Sequence, residues 1–292
     1  MRICGKRLAK AVQTAYPPPM PRPVVKIGRH TLGGREPLFI LGPCVIESAA
    51  FTRRMAKKLH AICGDAGVNF VFKASYDKAN RTSGKSFRGI GAKEGCALLA
   101  EIGGEYGLPV TTDVHSPEDV AIARESIDLL QIPAFLCRQT DLIEAAGRSG
   151  RVVNVKKGQF LAPWDVGNIG KKLESAGCKA FFFTERGATF GYNNLVADMR
   201  AIYWMQELNY QVVFDATHSV QRPGGAGDRT GGDGALAPVL ARAAVAAGCD
   251  GVFLETHENP AKALSDGPNQ IPLRALPKLL AQLVRIRREI LA

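Results

Sequence analysis

A chain of 292 residues, 46% hydrophobic and 22% charged, is long enough for one large α/β barrel or two modest domains, and no run in it approaches the ~18 apolar residues of a membrane span. Its net charge of +11 has two explanations: a nucleic-acid or membrane surface read through phosphates, or a site for anionic small molecules together with basic tails. The second is favoured, because Arg2, Lys6, Arg7, Lys10, Arg22, Lys26 and Arg29 precede the first acidic residue, Glu36, Arg285, Arg287 and Arg288 crowd the C-terminus, and no aromatic residues interleave with these runs.

In chain order, residues 1–24 form a basic, Pro-rich leader (Pro17, Pro18, Pro19, Pro21, Pro23) without a secretory apolar core, expected to be disordered, and residues 25–292 form the remaining domain. Val24–Gly34 reads as a short hairpin. Eight apolar runs of strand length follow: Leu38–Cys44, Asn69–Ser75, Pro109–His115, Leu129–Ala134, Val152–Lys157, Ala180–Arg186, Gln211–His218 and Gly251–Thr256. Stretches with helical periodicity separate most of them, among them Ala50–Ala66, Glu94–Tyr106, Pro117–Ser126, Asn194–Glu207 and Ala235–Ala247. Gly67, Gly107 and Gly248 stand where a helix would end in the left-handed conformation. This alternation predicts a (β/α)8 TIM barrel with the hairpin closing its bottom. An open doubly wound sheet is the alternative, but Pro43 stands where its dinucleotide loop would need a backbone donor. The seven cysteines include no CxxC and suggest reduced, buried side chains in a cytoplasmic protein.

The strand ends carry the functional signal. In a barrel of this kind, chemistry sits at the C-terminal ends of the strands. Every run ends in or leads into capable residues: Cys44; Lys73 with Ser75; Asp113 with His115; Gln131; Asn154 with Lys156; Arg186; Asp215 with His218; Glu255 with His257. Alternation puts Lys73 and Ser75 on the face opposite Phe70 and Phe72, and Asn154 and Lys156 opposite Val153 and Val155. A buried lysine needs a counter-charge or a ligand. Internal pairs with Asp113 or Glu255 would account for one lysine; Lys73, Lys78, Arg81, Lys156 and Arg186 together point to a polyanionic substrate. Lys78, Arg81, Thr82 and Ser83 suit a phosphate. Cys44, His218, Glu255 and Asp266 fall on the ends of strands one, seven and eight and the loop after the last, neighbours in a closed barrel. Such a mixed S, N and O set suits Zn, Fe(II), Mn or Co. Taken singly, Cys44 reads more simply as a small buried hydrophobe, and His218 as a core histidine or a proton shuttle.

From about Pro37 to Leu283 the chain resembles the 3-deoxy-D-manno-octulosonate 8-phosphate synthases. The resemblance rests on Gly42-Pro-Cys-Val-Ile-Glu-Ser48, Phe72-Lys-Ala-Ser75, Lys78-Ala-Asn-Arg-Thr-Ser83, Thr112-Asp-Val-His115, Gln131-Ile-Pro-Ala-Phe135, Arg138-Gln-Thr-Asp-Leu142, Asn154-Val-Lys-Lys157, Glu185-Arg-Gly-Ala188, Phe214-Asp-Ala-Thr-His218 and Asp266-Gly-Pro268. It implies condensation of phosphoenolpyruvate with D-arabinose 5-phosphate and water, releasing phosphate, for lipopolysaccharide synthesis. It further implies Lys73, Lys78, Lys156 and Arg186 around phosphoenolpyruvate, Asn80, Arg81 and Thr82 on the sugar phosphate, and Ser75 among the substrate-binding residues. Gln131 and Asp113 would line the pocket, and Arg138 would reach a neighbouring subunit of a homotetramer. Lys78, Asp113 and His218 are the candidate catalytic groups. The resemblance places Cys44, His218, Glu255 and Asp266 around one divalent metal ion; the metal-independent class has Asn in place of Cys44. Asp266-Gly-Pro-Asn-Gln270 also keeps a Gly-Pro found in that class. A 3-deoxy-7-phosphoheptulosonate synthase using erythrose 4-phosphate is the nearest rival; its loop reads Lys-Pro-Arg-Thr-Ser, whereas Ala79-Asn80 separates Lys78 from Arg81 here. Sialic acid synthases carry an extra domain that this length cannot hold. A basic, non-catalytic nucleic-acid-binding barrel is the remote rival; neither nucleic acid nor membrane is an expected partner.

Overall fold

A computed structural model describes residues 22–80, 87–224 and 231–292. Eight parallel strands close into a barrel: β1 (Leu38–Gly42), β2 (Phe70–Lys73), β3 (Val110–Asp113), β4 (Leu129–Ile132), β5 (Val152–Lys156), β6 (Phe181–Glu185), β7 (Val212–Asp215) and β8 (Gly251–His257). Each pairs with the next, and β8 returns to β1 with Gly251 opposite Leu38 and Glu255 opposite Gly42. Among the described residues, eight helices cover the outside: α1 (Ala49–Ala66), α2 (Ala92–Tyr106), α3 (Pro117–Ala123), α4 (Thr140–Arg148), α5 (Val166–Ser175), α6 (Arg200–Glu207), α7 (Ala237–Ala246) and α8 (Leu276–Ile290).

Local chemistry sets the boundaries. Ser48 caps α1 by accepting from the Phe51 amide at 3.2 Å, and Gly67 closes it in the left-handed region at φ 63°. Ser116 caps α3, with Pro117 at its first position. The expected helix Asn194–Glu207 starts late: Leu195–Val196 instead pairs antiparallel with Ala188–Thr189, and α6 begins at Arg200. The Asp198 side chain fixes that start by accepting from the Arg200 amide at 3.0 Å.

Two apolar layers follow from strand alternation. Phe39, Leu41, Phe70, Phe72, Val153, Val155, Val212, Phe214, Val252 and Leu254 point outward against the helices. Leu38, Ile40, Val71, Leu129, Phe182, Val213 and Phe253 fill the barrel interior. The hairpin Val25–Ile27/His30–Leu32 seals the lower end, adding Val25, Ile27 and Leu32 to this inner cluster. Burying each such side chain stabilises by roughly 1.5–3 kcal/mol. Arg22, which the sequence reading placed in the leader, is docked on Asp250 at 2.7 Å; the rest of the leader, to residue 21, lies outside the described residues. The interior is thus apolar below and, from the next inward layer upward, lined with polar and charged groups.

Candidate active site

One backbone contact sets the geometry of the mouth. Gly42, at φ 158°, lies so close to β2 that a Cβ there would fall 1.8 Å from the Lys73 carbonyl oxygen. The chain then turns so that the Cys44 carbonyl accepts from Lys73 Nζ at 2.8 Å. Lys73 also donates to Glu255 Oε1 at 2.5 Å, both side chains being almost wholly buried. The internal pairing weighed from sequence is therefore realised for Lys73.

Around it cations and carboxylates alternate. Lys78 Nζ lies 3.8 Å from both Asp113 and Glu255. Lys156 donates to Asp215 at 2.6 Å and sits 3.7 Å from the centre of the Phe253 ring. Burial opposes every one of these charges, but the facing ammonium groups outweigh it for the carboxylates. Lys78, Lys73 and Lys156 hold Asp113 well below the usual carboxylate range. His218 with Lys73 and Lys78 does the same for Glu255, and His218 with Lys156 for Asp215. Lys78 is pushed the other way, well above its ordinary value, by the Glu255 and Asp113 carboxylates against the cost of burial. For Lys156, burial wins and lowers the ammonium despite Asp215.

Asp113 is further fixed by donors. The Ser75 hydroxyl and Gln131 Nε2, the latter at 2.6 Å, both donate to it. Lys73, Ser75 and Gln131 form a buried floor, while Lys78, Asn80, Asp113, Lys156, Arg186, His218 and Asp266 line an open cleft of about 1240 Å³ above. Arg186 is 5% exposed; among the described residues it gives one bond, from Nη2 to Gln221 at 2.7 Å, and its buried Nη1 has no partner. Burial lowers its pKa. Arg138 is exposed and does not line this cleft. Arg81 and Thr82 lie outside the described residues.

Beside Lys73 and Lys78, ligand atoms of Cys44, Glu255 and Asp266 lie within 4.8 Å of one another, a group that could hold a metal ion. His218 is not within that compact set, but its ring is aimed at it. Nδ1 is bonded to Asp215 at 2.7 Å, leaving Nε2 3.4 Å from Glu255 and 3.9 Å from Asp266. A carboxylate on the far nitrogen is the support that metal-bound histidines usually have. Asp266 adopts a left-handed backbone at φ 49°, an uncommon state for a residue with a side chain. Burial and Glu255 push the Cys44 thiol well up, so it stays protonated until a cation replaces its proton. The Cys44 sulfur meanwhile contacts the Ser265 hydroxyl at 2.8 Å.

A barrel mouth with this motif order can be compared with known proteins. A profile of the DAHP synthetase I family matches residues 22–292. The chain belongs to this family. Within it, a Geobacter sulfurreducens protein named 2-dehydro-3-deoxyphosphooctonate aldolase is 54% identical over 263 residues, covering 90% of this chain and 97% of the relative. Relatives of the same name from Pelobacter propionicus and Trichlorobacter lovleyi are each 56% identical, over 268 and 259 residues, and cover 98% and 94% of the relative. The resemblance read from the motifs is borne out by these members of the DAHP synthetase I family. Sequence reasoning put Asp215 and Asn154 at the strand ends but gave neither a role in the site, and it did not single out Thr184. The first two were visible as polar strand ends; Thr184 gave no signal, since a threonine within a strand is ordinary.

Proposed function

We propose that the chain condenses phosphoenolpyruvate with D-arabinose 5-phosphate and water, giving 3-deoxy-D-manno-octulosonate 8-phosphate and phosphate. The observation that carries this reading is Arg186. A buried guanidinium with a donor that has no partner among the described residues, opening on a cleft beside Lys156, calls for an anion. The shared name of the relatives supports the same reaction.

In this reading Arg186 and Lys156 hold the phosphate and carboxylate of phosphoenolpyruvate over the floor of Lys73, Ser75 and Gln131. Asn80, with Arg81 and Thr82, takes the sugar phosphate, and Arg138 serves a neighbouring subunit. The vinyl carbon adds to the aldehyde, water adds to the carbon bearing the phosphate, and the hemiketal phosphate loses phosphate. Lys78, kept protonated by Asp113 and Glu255, stabilises the oxyanion forming on the aldehyde. Asp113, its oxygens occupied by donors, orients Lys78 rather than accepting a proton. Cys44, His218, Glu255 and Asp266 would hold one divalent ion, of Zn, Fe(II), Mn or Co type by the donor set. When bound, such an ion supplies Lewis-acid polarisation of a coordinated oxygen.

We further assign the protein to the cytoplasm as a homotetramer. The described cysteines are all free, which suits a reducing compartment, and no helix among the described residues is long and apolar enough to cross a membrane. Exposed Phe135, Phe160, Trp164, Phe190 and Tyr192 around the barrel top support self-association.

The test is phosphate release from phosphoenolpyruvate with arabinose 5-phosphate, with erythrose 4-phosphate as the control and with and without a chelator. Expected is release that requires arabinose 5-phosphate, stops once the metal is stripped and returns with a divalent ion. Preference for erythrose 4-phosphate moves the chain to the heptulosonate branch. Wild-type activity that survives proven metal removal, together with a fully active Cys44→Asn variant, removes the metal from the reading.

A further inference from the structure

Four buried side chains cross the barrel mouth from β6 to β3. The Thr184 hydroxyl donates to Asn154 Oδ1 at 2.8 Å, Asn154 Nδ2 donates to Gln131 Oε1 at 2.9 Å, and Gln131 Nε2 donates to Asp113 Oδ1 at 2.6 Å. Thr184, Asn154 and Gln131 are all 0% exposed, so bulk solvent does not reach them and their polar atoms depend on one another.

The direction of this chain is forced from its charged end. An ionised carboxylate only accepts, so Gln131 must turn its amide nitrogen to Asp113. Its oxygen then faces Asn154, which must present nitrogen in turn, and the Asn154 oxygen is left needing a donor. Thr184 supplies it. Without that hydroxyl nothing at this end prefers one orientation of the Asn154 amide, and a flipped Asn154 would set its oxygen against the Gln131 oxygen, or, if Gln131 flips with it, the Gln131 oxygen against the Asp113 carboxylate. Each donor in such a series also polarises the next.

We propose that Thr184 and Asn154 are positioning residues for the reaction: they lock the amides that hold Asp113, and through Asp113 the Lys78 ammonium. The mechanistic consequence rests on the function proposed above; the hydrogen-bond lock does not.

Thr184→Val keeps shape and β-branching and removes only the hydroxyl; Thr184→Ser restores it. Expected is a fall in kcat of about tenfold in Thr184→Val, the size of one buried hydrogen bond to a charged network, with KM for phosphoenolpyruvate changed less than threefold and Thr184→Ser within about threefold of wild type. In an Asp113→Asn background the same Val substitution should cost less than about twofold, because the group it acts through is already gone. Side-chain amide NMR of Gln131 and Asn154 gives an activity-independent readout: slow-exchanging signals in wild type and Thr184→Ser, lost or broadened in Thr184→Val. An undiminished Thr184→Val enzyme, equal losses in Ser and Val, or additive losses with Asp113→Asn would overturn the positioning role, as would unchanged amide signals. A wild-type chain that releases no phosphate with any aldose phosphate fails the functional reading instead, and the NMR comparison still decides the lock.

Discussion

At the scale of single residues, Asp215 connects the two halves of the mouth. It accepts from Lys156 at 2.6 Å, from His218 Nδ1 at 2.7 Å and from the His218 backbone amide at 2.9 Å. One carboxylate therefore fixes both an anion-binding lysine and the histidine aimed at the candidate metal group. Lys156 and His218 Nδ1 both bond Oδ2, so Asp215→Asn with its oxygen kept there loses the negative charge behind the histidine and turns its amide nitrogen onto the His218 backbone N–H. Expected is a loss of metal affinity of about 10–100-fold, the usual cost of losing a carboxylate behind a histidine ligand. Competition with a chromogenic chelator measures it. Metal affinity unchanged in Asp215→Asn would show that His218 needs no such support. The sequence displayed Asp215 as a polar strand end, but its pairing with Lys156, 59 residues away, is a fact of barrel closure that local spacing does not carry.

At the scale of elements, alternation explained most of the strands and left one residue over. The predicted runs match β1 to β8 to within about three residues at each end, because a buried parallel strand is short, apolar and bounded by glycine or helix caps. Lys156 points inward as expected. Lys157 must then point outward, and no sequence argument gave it a task. It is 1% exposed, donates to the Gly158 and Leu161 carbonyls, and lies 3.5 Å from Glu185, which is equally buried and accepts from the Gly187 amide. This pair ties the loops after β5 and β6, the ones that follow Lys156 and Arg186. Burial raises Glu185 above the ordinary carboxylate range, with Lys157 opposing. Lys157→Met should therefore cost about 3–5 kcal/mol at neutral pH by stranding a charge. A carboxylate raised in the folded state binds its proton more tightly there, so its penalty is absent below the unfolded pKa and grows as pH rises through the folded one. The deficit of Lys157→Met should accordingly shrink toward pH 4, and Lys157→Met with Glu185→Gln should be more stable at pH 7 than Lys157→Met alone. Urea midpoints at both pH values check this; a deficit independent of pH would mean that packing of the lysine stem, not charge, is what was lost.

At the scale of the whole molecule, the barrel separates an apolar lower half, sealed by the hairpin, from a charged upper half. This division was legible in the sequence, since most strands begin in Val, Leu or Phe and carry a polar group at or near the C-terminal end. The loops over the mouth were not: their placement depends on contacts such as the Asp266 backbone, which no periodicity encodes. The upper half makes stability depend on pH in a definite direction. Asp113, Asp215 and Glu255 all lie below the ordinary carboxylate range, because facing cations outweigh burial. A carboxylate depressed in the folded state contributes stability that is complete above its unfolded pKa, near 4, and is lost as pH falls toward the folded value. Three such groups give a slope of at most about 4 kcal/mol per pH unit below pH 4, with Glu185, shifted the other way, offsetting part of it. Lys156 and Arg186, lowered by burial, stay protonated over this range, so their cost is constant and leaves the slope unchanged. Chemical unfolding of metal-stripped protein from pH 7 to pH 3 should therefore show a steep acid loss. Asp215→Asn should be less stable at pH 7 yet lose less on acidification, because one of the three protons no longer binds. Parallel acid profiles for the two proteins would mean that the mouth carboxylates do not govern acid unfolding and that the loss arises elsewhere in the barrel.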